Sequence, residues 1–83
     1  MSAALTRDQA ACLLDAVLDN DDFRGFTLTE LPEIHREFAY SMGRAARTNV
    51  LLDRLGPDGV LAALRGFLPD TTERCLRDIL AGR

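Results

Sequence analysis

The chain has 83 residues, which is room for one domain and no more. Its hydrophobic fraction of 47% and charged fraction of 28% are typical of a globular protein and argue against disorder. The net charge of −3 disfavours nucleic acid as a partner, because neutralising phosphates requires a basic surface. We therefore expect one folded domain over residues 1–83 that does not bind nucleic acid.

The sequence gives no signal for export or for membrane insertion. No segment reaches the roughly 18 consecutive apolar residues of a membrane span. The stretch Met1–Leu5 does not join a basic segment to an apolar one, as a signal peptide would. The two cysteines, Cys12 and Cys75, lie far apart in the sequence. We expect both to be free thiols in a cytoplasmic protein without a membrane partner.

The first predicted helix runs from about Arg7 to Asp19. Thr6 and Gln9 have the three-residue spacing of a capping box. The apolar stripe that follows at helical spacing consists of Ala10, Leu13, Leu14, Val17 and Leu18. The polar run Asn20-Asp21-Asp22 is predicted to end the helix.

The middle of the chain predicts shorter elements. Phe23 to Leu31 is expected to form a turn or a single helical turn that places its phenylalanines in the core. Within it, Thr27 and Glu30 have the spacing of a second capping box. Pro32 suits the first turn of a third helix. The apolar residues expected on that helix are Leu31, Ile34, Phe38, Ala39, Met42 and Ala45, and Gly43 is expected to end or bend it.

Three more helices are predicted in the second half. Thr48 or Asn49 can cap a helix that the strong stop signal Gly56-Pro57 ends. Asp58 is expected to cap the next, which Pro69 stops. The last is expected to begin with a capping box of Asp70 and Glu73 and to close at Gly82. Their apolar stripes contain Leu51, Leu52, Leu55, Val60, Leu61, Leu64, Phe67, Leu68, Cys75, Leu76, Ile79 and Leu80.

No run of residues alternates with the period of two that a β-strand shows. We therefore expect an all-α fold, a compact bundle of about six short antiparallel helices around one core. The first and last helices are expected to lie side by side. Leu14, Phe38, Leu52, Leu64 and Ile79 are predicted core residues.

Chemistry-bearing residues are few. Asp19 and Asp21 open a twelve-residue window like that of a calcium loop, but Phe23 and Arg24 stand where an oxygen ligand and glycine are needed. One His and two distant Cys cannot close a zinc site. His35, the only His, is predicted to be a boundary residue of a helix rather than a catalytic base. We expect no enzyme activity, no metal, no cofactor and no small-molecule substrate.

Two further segments resemble sites of known classes. Ser41 resembles the serine that accepts phosphopantetheine in acyl carrier proteins, but it is predicted to lie well inside a helix rather than at its start. The range Asn49–Leu68 contains two predicted helices joined by a glycine turn, as a helix-turn-helix does. Against DNA binding, its second helix offers only Arg65 as a polar reader.

Charged residues give a sharper hypothesis. An acidic cluster is predicted at the end of the first helix, and it consists of Asp15, Asp19, Asp21 and Asp22. A basic face is predicted on the third helix from spacings of four, four and three, and it consists of Arg36, Tyr40, Arg44 and Arg47. Both sets are explained either as solvated faces or as complementary halves of a protein interface. In the second case, stacked copies form a head-to-tail contact.

The chain resembles a known family at two places. One is Leu5-Thr6-Arg7-Asp8-Gln9 followed by Leu13-Leu14-Asp15-Ala16, and the other is Gly59-Val60-Leu61-Ala62-Ala63-Leu64 followed by Pro69 and a last short helix. With six short helices and paired charged patches, it is similar to the death-fold adaptor domains. It resembles more closely the bacterial effector-associated, or death-like, domains of prokaryotic immune systems. The resemblance implies a non-enzymatic adaptor that makes like-with-like contacts.

Three functions are consistent with the sequence. The leading hypothesis is a homotypic protein-interaction domain, whose partner is a protein with a similar helical domain or a second copy of the chain. The second is a small transcriptional or antitoxin-like regulator. The third is a small helical subunit that stabilises an enzyme and has no activity alone.

Overall fold

The structure, a computed structural model, describes residues 5–82 and has five helices there. They are α1 (Arg7–Val17), α2 (Asn20–Glu30), α3 (Pro32–His35), α4 (Arg44–Phe67) and α5 (Pro69–Leu80). No strand occurs within residues 5–82, so the all-α prediction is confirmed. The number of helices is five rather than six when the two helical segments that meet at Gly56, whose own backbone is not helical, are counted as the single helix α4. Residues 1–4 and 83, which the predicted domain and the Met1–Leu5 reading include, lie outside the described range.

The start of α1 agrees with the sequence pattern. The backbone N–H of Gln9 donates to Thr6 Oγ1 at 3.0 Å, and the Thr6 N–H donates to Gln9 Oε1 at 3.0 Å. This reciprocal pair is the predicted capping box. The helix ends at Val17, two residues before the predicted end, because Leu18 adopts an extended backbone.

The polar run after α1 begins a helix instead of ending one. Asp19 is the N-cap of α2, and its Oδ1 accepts a hydrogen bond from the Asp22 N–H at 2.7 Å. Asp21 and Asp22 lie in the first turn, where negative charge suits the helix dipole. The capping box predicted at Thr27 is therefore wrong, since Thr27 is buried inside α2.

The helix predicted from Leu31 to Ala45 does not form. Pro32 begins a helix as predicted, but α3 has only four residues and ends at His35. Bonds of the i→i−3 type follow, from the Glu37 N–H to the Ile34 carbonyl and from the Phe38 N–H to the His35 carbonyl. Such bonds tighten and end a helix. Residues 36–43, here called the α3–α4 connection, are turns and extended chain.

The predicted stop signal Gly56-Pro57 forms a bend inside α4, the longest helix. α4 begins at Arg44, so neither Thr48 nor Asn49 caps it, and Thr48 is buried within it. Gly56 has φ 73° and ψ 168°, a backbone conformation that glycine adopts without a Cβ clash. Pro57 follows it and lacks the N–H that would continue the hydrogen-bond ladder. The helical segment predicted to be capped by Asp58 continues directly from this bend.

Pro69 separates α4 from α5, as predicted, and is the first residue of α5. The capping box predicted at Asp70 and Glu73 is wrong, because the N-cap is Leu68 and makes no side-chain hydrogen bond there. Glu73 instead accepts a hydrogen bond from Arg65 Nε at 2.5 Å. Gly82, with φ 78°, follows the end of the helix as predicted.

The core lies between α1, α4 and α5, which contact one another, while α2 and α3 pack on the α4 side. The contact between α1 and α5 confirms that the first and last helices are neighbours. Of the predicted core residues, Leu14, Leu52 and Leu64 are buried, whereas Phe38 and Ile79 are half-buried at its edge. The buried apolar residues are Leu5, Ala10, Leu13, Leu14, Val17, Leu18, Phe23, Phe26, Leu51, Leu52, Val60, Leu64 and Leu76. No helix within residues 5–82 is both long and apolar enough to cross a membrane.

Candidate protein-interaction surface

The eight residues predicted to form an interface lie on several elements. The basic residues do not share one helical face, because the chain leaves the helix between His35 and Arg44. Arg36 and Tyr40 lie in the α3–α4 connection, and Arg44 and Arg47 lie at the start of α4. The acidic residues are Asp15 on α1, the N-cap Asp19, and Asp21 and Asp22 in the first turn of α2.

Arg44 is engaged inside the molecule. Its Nη2 donates to the Leu18 carbonyl at 2.5 Å and to the Leu14 carbonyl at 3.2 Å, and its Nη1 donates to Asn20 Oδ1 at 3.0 Å. The last turn of α1 has no basic residue of its own. Arg44 therefore supplies both the hydrogen-bond donors and the positive charge that a helix C-terminus favours.

Two further contacts fix the same guanidinium group. Arg44 Nε lies 3.5 Å from Asp15 Oδ1, and its Cζ lies 4.9 Å from the ring centroid of Phe23. One residue of the predicted basic face thus pairs with one residue of the predicted acidic cluster within a single chain. Asp19 also has a local function, as the cap of α2. These three charged residues stabilise the α1–α2 junction.

A chain of side-chain contacts anchors the α3–α4 connection. The buried Thr27 hydroxyl donates to the Arg24 carbonyl at 3.1 Å and lies 2.8 Å from His35 Nδ1. The His35 ring meets the edge of the Phe38 ring at a centroid distance of 5.5 Å. The Arg47 guanidinium group lies over the Phe38 ring, 5.3 Å from its centroid. His35 is half-buried, as predicted for a boundary residue.

Two depressions border this chain of contacts. The first has a volume of about 340 Å³ and is lined by Arg24, His35, Phe38, Ala39, Tyr40 and Arg47. The second, of about 320 Å³, is lined by Asn20, Phe23, Arg24, Met42, Arg44 and Arg47. Because Arg24 and Arg47 line both, we call the pair together the arginine cleft. No carboxylate is among these lining residues.

Arg24 was missed by the sequence analysis. The pattern predicted a turn at Phe23 to Leu31, and a turn assigns no face to its residues. In the structure Arg24 lies one residue after the buried Phe23 on α2 and lines the cleft together with Arg47 of α4. The helix period, had α2 been predicted, would have placed Arg24 beside the polar residues of its first turn.

Three arginines of this region form no ion pair with a described carboxylate. Within residues 5–82, ion pairs join Arg7 to Asp53 at 2.9 Å, Arg65 to Glu73 at 2.5 Å, and Arg54 to Glu37. Arg24, Arg36 and Arg47 form no such pair with any described residue. Tyr40 is fully exposed, at 106% of its reference area. We call Arg24, Arg36, Tyr40 and Arg47 the exposed basic surface, although Arg47 itself is half-buried where it packs on Phe38.

The residues of the other candidate sites lie in different parts of the fold. Ser41 lies in the α3–α4 connection, in the turn before α4, and the prediction that it is inside a helix is wrong. The window from Asp19 to Glu30 is helical rather than a loop. Cys12 is exposed on α1 and Cys75 is half-buried on α5, and neither is bonded to another cysteine. The two segments proposed for a helix-turn-helix are parts of the bent helix α4, with Val60 and Leu64 buried.

Comparisons of the chain with family models, with curated proteins and with solved structures find no match. The chemistry of the surface is therefore inferred from its own residues. It joins unpaired guanidinium groups to an exposed phenol ring, in a chain whose net charge is negative.

Proposed function

We propose that this chain is a non-enzymatic adaptor domain that binds a protein carrying a similar helical domain, or a second copy of itself. The observation that carries the proposal is the exposed basic surface. Its arginines lack carboxylate partners among the described residues, and Tyr40 is fully exposed beside them. Arg and Tyr are the residue types, with Trp, that contribute most to protein interfaces.

Rigidity supports the same function. The α3–α4 connection presents Arg36 and Tyr40 although it is not helical, and the contacts of His35 and Phe38 hold it against α2 and α4. Side chains that are held by contacts in the free protein lose less conformational entropy on binding. The contacts of His35 and Phe38 therefore favour a docking surface over a flexible linker.

Charge complementarity supports a partner of the same kind. Asp21 and Asp22 carry negative charge at the start of α2 and form no ion pair with a described residue. A similar domain offers both signs of charge, so the basic surface of one copy can meet the acidic residues of another. The resemblance to effector-associated domains extends the proposal to a bacterial immune or signalling system.

Substitutions that reverse the charge of surface residues other than Arg44 test this function. We expect the wild-type chain to self-associate as its concentration rises, measured by sedimentation velocity, and to do so less at high salt. The double variant Arg36→Asp, Tyr40→Ala and the single variant Asp21→Arg should each weaken association. A matched control, Arg74→Asp, changes an exposed arginine on α5. Mixing the two interface variants should restore at most a capped pair, since each keeps only one intact half.

Circular dichroism on the same samples separates loss of binding from loss of fold. The proposal requires helical signals equal to the wild type for every variant. Association of the interface variants that equals that of the wild type would show that these charges are solvated faces. A wild-type chain that stays monomeric at all concentrations would remove self-association and leave only a separate protein as partner.

A further inference from the structure

We propose that the arginine cleft is a binding site for a phosphate monoester, with the anion held between Arg24 and Arg47. This goes beyond protein interaction and does not depend on it. The two guanidinium groups come from different helices, α2 and α4, and line both depressions of the cleft. Planar guanidinium groups bind phosphate oxygens through paired N–H donors.

An unsatisfied donor marks the position. The Nε of Arg47 is buried and has no hydrogen-bond acceptor, although the rest of the side chain is packed over Phe38. Unsatisfied buried donors are rare, and Arg44 Nε is the other one among the described residues, so the one on Arg47 calls for an explanation. A small turn of the Arg47 side chain toward the cleft, which it already lines, would let a bound anion accept from this nitrogen.

The start of α4 points to the same ligand. Its N-cap is Gly43, which makes no side-chain hydrogen bond, and its first turn contains no acidic residue. Instead it carries two arginines, Arg44 and Arg47, at the end of the helix where positive charge is unfavourable. Met42 and Arg44 line the second depression, so the cleft borders this uncapped turn. A bound anion would offset the helix dipole and the charge of Arg47, whereas the Arg44 guanidinium group is already engaged at the end of α1.

The chemistry of the lining favours phosphate over carboxylate. One guanidinium fork satisfies the two oxygens of a carboxylate, whereas the three terminal oxygens of a phosphate monoester can use both Arg24 and Arg47. His35 also lines the first depression, and its imidazole ring adds a third nitrogen-containing side chain to those of Arg24 and Arg47. Asp21 and Asp22, the nearest acidic residues in the sequence to Arg24, are outside the lining of both depressions.

The size of the cleft leaves room for more than the phosphate group. The first depression alone measures about 340 Å³, which lies within the range of small-molecule sites. Its remaining walls include Phe38 and Tyr40. The organic part of the monoester would therefore lie against aromatic rings.

The chain carries its own reporter for this site. Tyr40 is the single tyrosine and there is no tryptophan, so intrinsic fluorescence comes from the wall of the cleft. We expect methyl phosphate to change this fluorescence along a saturable curve, at constant ionic strength. Acetate, added at the same ionic strength, should give at most the linear change that free N-acetyltyrosinamide also shows.

Substitution of the arginines completes the test. Arg24→Gln removes a side chain without a described partner, and we expect it to weaken methyl phosphate binding about tenfold or more. Arg47→Lys keeps the charge but loses the fork, and should weaken binding as well. Arg74→Gln on α5 is the matched control and should bind like the wild type. The proposal is wrong if the wild type shows no saturable change, if acetate binds as tightly, or if Arg24→Gln matches the control.

Discussion

The guanidinium group of Arg44 donates a hydrogen bond to the carbonyl oxygen of Leu18, a residue 26 positions earlier, at 2.5 Å. This bond ties the first residue of α4 to the residue that caps the end of α1. The same side chain also reaches the Leu14 carbonyl and Asn20 Oδ1. One arginine thus fixes where α1 ends, where α2 begins and where α4 begins.

Removing this side chain should destabilise the fold rather than an interface. Arg44→Ala deprives two carbonyl oxygens of a charged donor, and we expect the free energy of unfolding to fall by about 1.5–3 kcal/mol. Arg44→Lys should recover part of this, since it retains a charge near the end of α1. Urea denaturation followed by circular dichroism measures the change.

The control for that experiment is Arg36→Ala. Arg36 is exposed and forms no ion pair with a described residue, so its loss should change the stability by less than about 0.5 kcal/mol. Equal effects of Arg36→Ala and Arg44→Ala would contradict the structural function assigned to Arg44.

The difference between the predicted and observed helices in the middle of the chain has a physical cause. Asp19 and the polar run after it fit the end of one helix and the start of another equally well, because both positions favour short polar side chains. The structure combines the two: Asp19 caps α2, and the helix buries both Phe23 and Phe26. At Thr6, which caps α1, and at Pro69, which separates α4 from α5, local chemistry decides and the predictions are confirmed, whereas the capping box predicted at Asp70 and Glu73 is wrong.

Leu64 tests the packing of the second half of α4. It is fully buried, as predicted. We expect Leu64→Ala to lower the free energy of unfolding by about 2–5 kcal/mol, through lost apolar burial and the cavity left behind. Leu80→Ala is the control, because Leu80 is 55% exposed at the end of α5. A loss below about 0.5 kcal/mol at Leu64 would mean that this part of α4 is placed wrongly.

The candidate surface was harder to predict from the sequence than the core. The spacing of Arg36, Tyr40 and Arg44 assumes a continuous helix, and the chain instead bends away after His35. The contact between His35 and Thr27, which holds the end of α3 against α2, leaves no pattern in the sequence. The sequence identified these basic residues. It did not predict which of them would stabilise the fold, as Arg44 does, and which would lie on the surface.

The two cysteines should differ in reactivity. Both are free, but Cys12 is exposed on α1 whereas Cys75 is half-buried on α5. In a titration of the native protein with Ellman's reagent, we expect two thiols per chain and a faster reaction at Cys12, because access limits the rate. Cys12→Ser should remove the fast phase alone. Detection of no thiol in freshly purified protein would instead indicate a bond between the two cysteines.

Gly56 tests whether the bend in α4 is required by the backbone. Its φ of 73° lies in the left-handed region, and the space where a Cβ would stand is open, with no atom within 4 Å. Gly56→Ala should therefore cost stability through the backbone alone, by about 1–2 kcal/mol. Gly43→Ala is the matched control, since Gly43 also has an open Cβ position but a φ of −74°. If the backbone conformation at Gly56 were incidental, Gly56→Ala would match or exceed the wild type in urea denaturation. A loss confined to Gly56→Ala would show that the packing of both halves of α4 holds the residue in its left-handed conformation.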